Sequence, residues 1–388
     1  MIHLFINALA ATAGGGLTYV RNVLPLLAAA PVRSTALINP SLRQEFRHLP
    51  NIDFVEVDVP ALRRFWFEQS KLPKLIRKCG ADVLLSTGNF AVRQSPVPQI
   101  LLSRNSIYTS EDYFHDLMRR HEYRMMADTY GRALLAKRSI LWADATVAPS
   151  EAFAAELKRW TGAEVTPIYH GFDREAFTRN SAPLALEVEA KLASAEGSLK
   201  LLFVSHYNYY RNFETLIRAL PVLRQQFSPR PVRLLLTCTL APGKNPGAYR
   251  PDSAANLIKD LGVSDMVVEL GMIPYGQLHQ LYSRADVYVT AAYTETFAHP
   301  LVEAMSSELP IVASDIAVHR EICGRAATYF DRFSAIELAE SISEVAASPE
   351  TMKRTAAVGS KRSEMFSWAS HVSKILELCR ALIESATR

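Results

Sequence analysis

The stretch Thr294–Asp315, TETFAHPLVEAMSSELPIVASD, decides the fold. An apolar run, ADVYVTAAY (285–293), precedes it, and a second, LPIVASD (309–315), closes it. Both read as buried strands, and HPLVEAMSSE between them reads as a helix with Pro300 in its first turn. A strand, a loop, a helix and another strand make one right-handed crossover of a parallel sheet. The loop TETFAH then sits at the carboxyl end of a strand, where open α/β sheets bind ligands. Glu295 falls in that loop, and Glu303 about one turn into the helix. A carboxylate accepts hydrogen bonds from paired hydroxyls, and helix-start amides, here those of Phe297, Ala298 and His299, suit a phosphate. The competing reading makes Glu295 a helix cap and Glu303 an exposed helix residue. For an isolated pair of acids at this spacing, that blander reading is the commoner one.

Working outward, the same alternation fills the chain. MIHLFINAL, STALINP, IDFVEVDV, ADVLLST, PQILLS and ADATVAPS read as strands of a first half, with LTYVRNVLPLLAAA and FWFEQSKLPKLIRKC as helices between them. The polar, alanine-rich run 179–198 interrupts the pattern. It restarts with LKLLFVSH, VRLLLTCT, MVVELG, ADVYVTAAY and LPIVASD. The expectation is an α/β protein of two doubly wound, Rossmann-like parallel-sheet domains, residues 1–175 and 195–366. A C-terminal amphipathic helix, 367–388, is expected to return to the first domain.

Bulk composition excludes several classes. The 388 residues carry a net charge of +4, too little to argue for nucleic acid, and 49% are hydrophobic, enough for two cores. Residues 1–170 hold 20 Lys/Arg against 15 Asp/Glu, so the first half is the basic one. Cys79, Cys238, Cys323 and Cys379 show neither a C-x-x-C pair nor His at ligand spacing, which fits a reducing cytoplasm and argues against zinc or a disulfide framework. The start, MIHLFINALA, lacks a basic flank and reads as a strand, not a signal peptide.

Three further loops follow strands. ATAGGGLTYVRN places Gly15 and Gly16 at a helix start, where backbone can approach a phosphate; a flexible turn is the alternative. FVSHYNYYRNFETL supplies His206 and Arg211, and an arginine can fork two hydrogen bonds onto a phosphate; solvated loop charges are the alternative. ELGMIPYGQL, around Ile273, would floor a nucleobase with backbone groups or be an ordinary turn. The basic, aromatic stretches 63–78 and 118–138 would suit an anionic membrane surface, or would simply be solvated helices.

Taken together, these segments resemble the retaining GT-B glycosyltransferases of family 4, glycosyl transferases group 1. The family pattern E-G-F-G-x-P-x-x-E-A-M-A-x-G-x-P-V-V-A-S stands here as E-T-F-A-H-P-L-V-E-A-M-S-S-E-L-P-I-V-A-S. The segments GGGLTYVRNVLPLL, ADATVAPSEAFAAEL, PIYHGFDREAF and LLFVSHYNYYRNFETLIRAL are similar to other recurrent family segments. The resemblance implies a nucleoside-diphosphate sugar as donor, a glycan or lipid-linked acceptor, and no metal or separate cofactor. It also implies a cytoplasmic site, with peripheral contact at the inner membrane face, in polysaccharide, lipopolysaccharide or glycolipid synthesis. By position it implies that Glu295 meets the donor sugar and Glu303 the ribose. The amides of Phe297, Ala298 and His299 would meet sugar and distal phosphate, and Arg211 and His206 the diphosphate. Gly15 and Gly16 would approach that diphosphate, and Ile273 would lie against the base. Arg211 and Glu295 would be the catalytic residues. Three departures stand out. Thr296 and Ala298 replace glycines, His206 replaces arginine, and Arg104–Asn105 replaces a His-Asp pair on the acceptor side. A sugar-nucleotide 2-epimerase or a non-transferring binder on the same fold is the alternative. A dinucleotide oxidoreductase is disfavoured by the lack of G-x-G-x-x-G.

Overall fold

The computed structural model describes every residue except Ala13 and Arg388. The chain divides into two compact units. Unit 1 comprises Met1–Ser110, Leu117–Gly171 and Ser367–Arg388, and unit 2 comprises Glu111–Asp116 and Phe172–Phe366.

Unit 1 is built on seven strands: β1 (His3–Asn7), β2 (Arg33–Ile38), β3 (Ile52–Glu56), β4 (Val83–Ser86), β5 (Gln99–Leu102), β6 (Ala145–Ala148) and β7 (Thr166–Pro167). They lie in the order β3-β2-β1-β4-β5-β6-β7, all parallel. Strands such as HLFIN and VLLS are buried along their whole length, as expected of a parallel sheet covered on both faces. Helix α1 (Gly14–Ala29) covers one face and shares its core with the terminal helix Trp368–Thr387 through Val372, Ile375 and Leu376. The stretch 65–79, expected as one helix, is two: α2 (Ala61–Ser70) and α3 (Leu72–Cys79). Pro73, with no amide hydrogen to donate, sits in the first turn of α3 and ends the run there. Helices α4 (Glu111–Arg119) and α5 (Tyr123–Trp142) follow β5.

Unit 2 has six strands: β8 (Leu199–Phe203), β9 (Val232–Leu236), β10 (Val267–Glu269), β11 (Val287–Thr290), β12 (Ile311–Ser314) and β13 (Ala327–Phe330). Their order is β10-β9-β8-β11-β12-β13, again all parallel. The strand order reverses between β1 and β4 in unit 1 and between β8 and β11 in unit 2. These are the two topological switch points, where loops on either side diverge and leave a crevice.

Non-glycine residues take left-handed backbone at both ends of the helix His299–Ser306. Ala298, its N-cap, has φ +61°, and Glu308, two residues past its end, has φ +56°. Both stand where the family pattern has glycine. At the far end the Glu308 amide donates to Met305 O (3.1 Å) and the Leu309 amide to Ala304 O (3.0 Å), the paired bonds of a Schellman cap. A side chain in this conformation costs about 1–2 kcal/mol. Glu308 is exposed, so Glu308→Gly is expected to stabilise the fold by about 1 kcal/mol, raising Tm by roughly 2–4 °C. Ala298→Gly gains less, because its buried methyl is lost. Thermal melts of the two variants check both the sign and the order.

Candidate active site

At the switch point of unit 2, the β8 and β11 loops meet. The β8 loop is fixed by two asparagines. Asn208 Oδ1 accepts from the Arg211 amide (3.1 Å) and caps the short 3-10 helix Tyr209–Arg211. Asn212, at φ +53°, donates to Arg332 O (2.7 Å) and accepts from the Thr215 hydroxyl (3.0 Å). The Tyr293 amide donates to Tyr210 O (3.0 Å), tying the β11 loop to the β8 loop. This frame brings the Arg211 guanidinium onto the Glu295 carboxylate, an ion pair with both partners largely shielded from water. The Arg211 Nε is buried with no acceptor among the described residues.

Glu295 is therefore not a helix cap. The N-cap is Ala298, which makes no side-chain capping bond, and there is no acid in the helix's first turn. Phe297 and Ala298 are buried, and the His299 ring lies 4.9 Å from that of Phe297. Nor is Glu303 an exposed helix residue: it is 3% exposed. The Tyr282 hydroxyl donates to its Oε2 at 2.8 Å. Burial pushes the Glu303 carboxyl up to about 7, against the smaller opposing effect of the Tyr282 bond. The stretch thus carries one carboxylate held by a cation and a second poised near neutrality.

His206 lies at the exposed start of the β8 loop, where partial desolvation and the Arg211 charge hold its imidazole below the usual range. It is neutral at pH 7, which leaves Arg211 as the fixed positive charge of these two. Ile273 is buried in the loop after β10, beside the exposed Met272.

Sequence reasoning missed several neighbours. His319 is fully buried, with Nδ1 3.0 Å from Ser314 O; burial and then the Arg211 charge lower it to about 4. Its Nε2 has no partner among the described residues. From the first half of the chain, Asp116 accepts from the Tyr293 hydroxyl (3.1 Å), and Asp112 pairs with Arg332 Nε (2.8 Å). No spacing in the sequence signals these contacts. Tyr282, 21 residues before Glu303, is equally silent.

The unit 1 candidates gather at that unit's own switch point. Gly14 (φ +56°), Gly15 and Gly16 open α1, so they are the first turn of a helix and not a flexible turn. A side chain on Gly16 would press to 3.3 Å from Ala11 Cα, whereas one on Gly15 would meet open space. Arg104 donates from Nη1 to Gly15 O (2.9 Å) and from Nη2 to Thr87 O (2.6 Å), and lies over the Tyr19 ring. Burial lowers its guanidinium to about 10. It ties the glycine turn to the end of β4. Asn105 is spent locally: its Oδ1 accepts from the Ile107 amide (3.4 Å), capping a 3-10 turn.

Two doubly wound parallel sheets of these strand orders define the GT-B class of fold. Solved structures agree: sucrose-phosphate synthase from Thermosynechococcus elongatus superposes with TM-score 0.76 at 20% identity, over 99% of this chain and 100% of that one. Anabaena HepE, solved in complex with UDP-glucose, gives 0.71 at 17% identity, over 98% and 100%. The model "Glycosyltransferase Family 4" matches residues 13–176 and the model "Glycosyl transferases group 1" residues 186–362. The chain belongs to the family 4, group 1, glycosyltransferases. Among curated relatives, D-inositol 3-phosphate glycosyltransferase of Nocardia farcinica is 28% identical over 188 residues, 48% of this chain and 40% of that protein. An uncharacterized glycosyltransferase of Methanocaldococcus jannaschii is 29% identical over 160 residues, 41% of this chain and 38% of that protein. The matches thus span well under two thirds of these relatives' length.

Proposed function

We propose that the protein transfers a sugar from a nucleoside-diphosphate sugar to a glycan or lipid-linked acceptor, with retention at the anomeric carbon. The observation that carries this reading is the shielded Arg211–Glu295 pair at the β8/β11 switch point, with Glu303 buried eight residues on. The bond from the anomeric carbon to the β-phosphate oxygen breaks, the sugar becomes oxocarbenium-like, and negative charge gathers on the departing phosphate. Arg211 meets that charge, which is larger in the transition state than in the ground state, so the contact accelerates the step. In this scheme no metal is called on, and no separate cofactor. The acceptor oxygen bonds to the anomeric carbon on the face the phosphate leaves, and its proton passes to the departing phosphate oxygen. Glu295 holds donor-sugar hydroxyls, Glu303 the ribose diol, and the amides of Phe297, Ala298 and His299 the sugar and distal phosphate. Ile273 supports the base, and in unit 1 Gly15 and Gly16, steadied by Arg104, offer backbone to a phosphate. The reaction would belong to cell-surface glycan or glycolipid synthesis, on the cytoplasmic side where nucleotide sugars are made.

UDP-glucose is the first donor to test, since HepE was solved with it. Thermal shift across UDP, GDP, ADP and dTDP sugars should single out one donor, and nucleoside diphosphate release should then depend on an acceptor. Release of free nucleotide without acceptor dependence, or epimerised donor, would favour the alternative reading. Stabilisation by none of these donors would sink the donor reading altogether.

Glu303 adds a pH signature. Its folded-state pKa lies above the unfolded value of 4.5, so its contribution to stability is present at low pH and is lost as pH rises toward about 7. Donor binding runs the other way, because the ionised carboxylate is the better acceptor for ribose hydroxyls. KM for donor should therefore fall as pH rises through about 7. Glu303→Gln should weaken donor binding and flatten that dependence. An unchanged KM profile in Glu303→Gln would refute the assignment.

A further inference from the structure

Met1–Ser110 and Leu117–Gly171 belong to unit 1, but Glu111–Asp116 between them belongs to unit 2. These residues open α4. Asp112, Tyr113 and Asp116 lie within about 100° of one another around that helix, so they share one face. The face meets loops at the carboxyl ends of β8, β9, β11 and β13.

Asp116 accepts from the hydroxyl of Tyr293, in the loop after β11, at 3.1 Å. Tyr113 packs edge-on against Tyr210, in the loop after β8, with ring centroids 6.2 Å apart. Its hydroxyl lies 3.3 Å from that of Tyr249, in the loop after β9. Asp112 accepts from Arg332 Nε, in the loop after β13, at 2.8 Å.

These partners stand beside the donor-site candidates. Tyr210 precedes Arg211, and its ring centroid lies 5.4 Å from the guanidinium. The Tyr293 amide donates to Tyr210 O at 3.0 Å, and Tyr293 stands two residues before Glu295. Arg332 O accepts from Asn212 Nδ2 at 2.7 Å, so the residue after Arg211 is tied as well. Arg211 is thus gripped through both of its chain neighbours by partners of one helical face.

Covering the ends of these strands does not require such a face. Asp116 is only 5% exposed, and a carboxylate so placed is costly unless it is bonded. Two acids one helical turn apart also repel. An apolar face would cover the same loops at less cost. What the polar face adds is direction, since a hydrogen bond fixes both distance and angle where apolar packing fixes neither so closely.

We infer that Asp112, Tyr113 and Asp116 are positioning residues for the donor site, holding the Arg211 and Glu295 loops through Arg332, Tyr210 and Tyr293. The inference rests on the transferase reading and adds to it residues from the first half of the chain. They act through Arg211, whose placement against the departing phosphate sets the rate.

The test is a double-mutant cycle read in single-turnover rates with saturating donor. Tyr293→Phe deletes the hydroxyl that meets Asp116 and keeps the ring beside Phe333. It should slow transfer about tenfold while donor KM moves less than about threefold. In an Arg211→Ala background the same substitution should cost less than about twofold, because its route to the reaction is already gone. Asp112→Ala should also slow transfer, and Asp112→Asn, which still offers an oxygen to Arg332 Nε, should recover most of the rate. Should Tyr293→Phe fail to fold, the two Asp112 variants carry the same comparison. A merely structural face would lower Tm, leave the rate of the folded protein unchanged and give losses that multiply with Arg211→Ala. Parent-like transfer in Tyr293→Phe and Asp112→Ala, or full multiplication in the cycle, overturns the inference and leaves the transferase reading standing. A parent chain that neither binds nor consumes a nucleotide sugar overturns both.

Discussion

Arg211→Ala is expected to lower kcat by about 10²–10³-fold, the usual loss when one preorganised charge on a developing anion is removed. The effect should exceed that of removing a surface arginine for two reasons. The backbone that carries Arg211 is fixed by a capped 3-10 turn and its guanidinium rests on Glu295, so the charge is largely preorganised. It is also the fixed cation of its loop, since His206 is neutral at pH 7. The same substitution leaves the Glu295 carboxylate buried beside no cation, so Tm should fall as well. Arg211→Lys keeps the charge and should recover part of kcat but not the forked geometry. Single-turnover rates with saturating donor separate the two consequences. A variant of lowered Tm and unchanged kcat would reduce Arg211 to a structural partner of Glu295.

Gly171→Ala should be the most damaging single methyl in the chain. A Cβ on Gly171 would lie 2.0 Å from Trp368 N and 2.5 Å from Trp368 Cα. Those are main-chain atoms at the start of the terminal helix, so rotation of a side chain cannot relieve the overlap. The surroundings cannot spread easily either. Tyr19, His170, Trp368 and His371 pack there ring against ring, and the Tyr19 hydroxyl lies 3.0 Å from His371 Nε2. Forcing such an overlap costs about 4 kcal/mol or more, equivalent to a fall in Tm on the order of 10 °C. A melt within a degree or two of the parent would show that the helix start yields.

The regularity of apolar runs made both sheets readable in advance, because a strand buried on two faces has few ways to be anything else. β7 and β13 were the exceptions: Thr166–Pro167 is two exposed residues, and ATYF is short, only partly buried and set in a run better marked by charge. The break at Lys71–Leu72 was written plainly in Pro73 but was outvoted by apolar periodicity on both sides. In the site, chain-local geometry was readable and long-range geometry was not. Glu295 and Glu303 share a loop and a helix, so spacing alone puts them together. The contact of Tyr293 with Asp116 spans 177 positions, and that of Asp112 with Arg332 spans 220. The left-handed backbone at Ala298 was visible only as a missing glycine.

The division of the chain has a consequence for the order in which it can assemble. Unit 2 is, in the main, one continuous segment set between Gly171 and Ser367, and the Phe172 amide bonds to Phe366 O (3.0 Å) where that segment begins and ends. Unit 1 is the discontinuous partner. Its core includes Trp368, Val372, Ile375, Leu376 and Cys379, which pack with α1 at the opposite end of the sequence. During synthesis the first sheet must therefore wait, with the flank of α1 uncovered, until nearly the last turn of helix has left the ribosome.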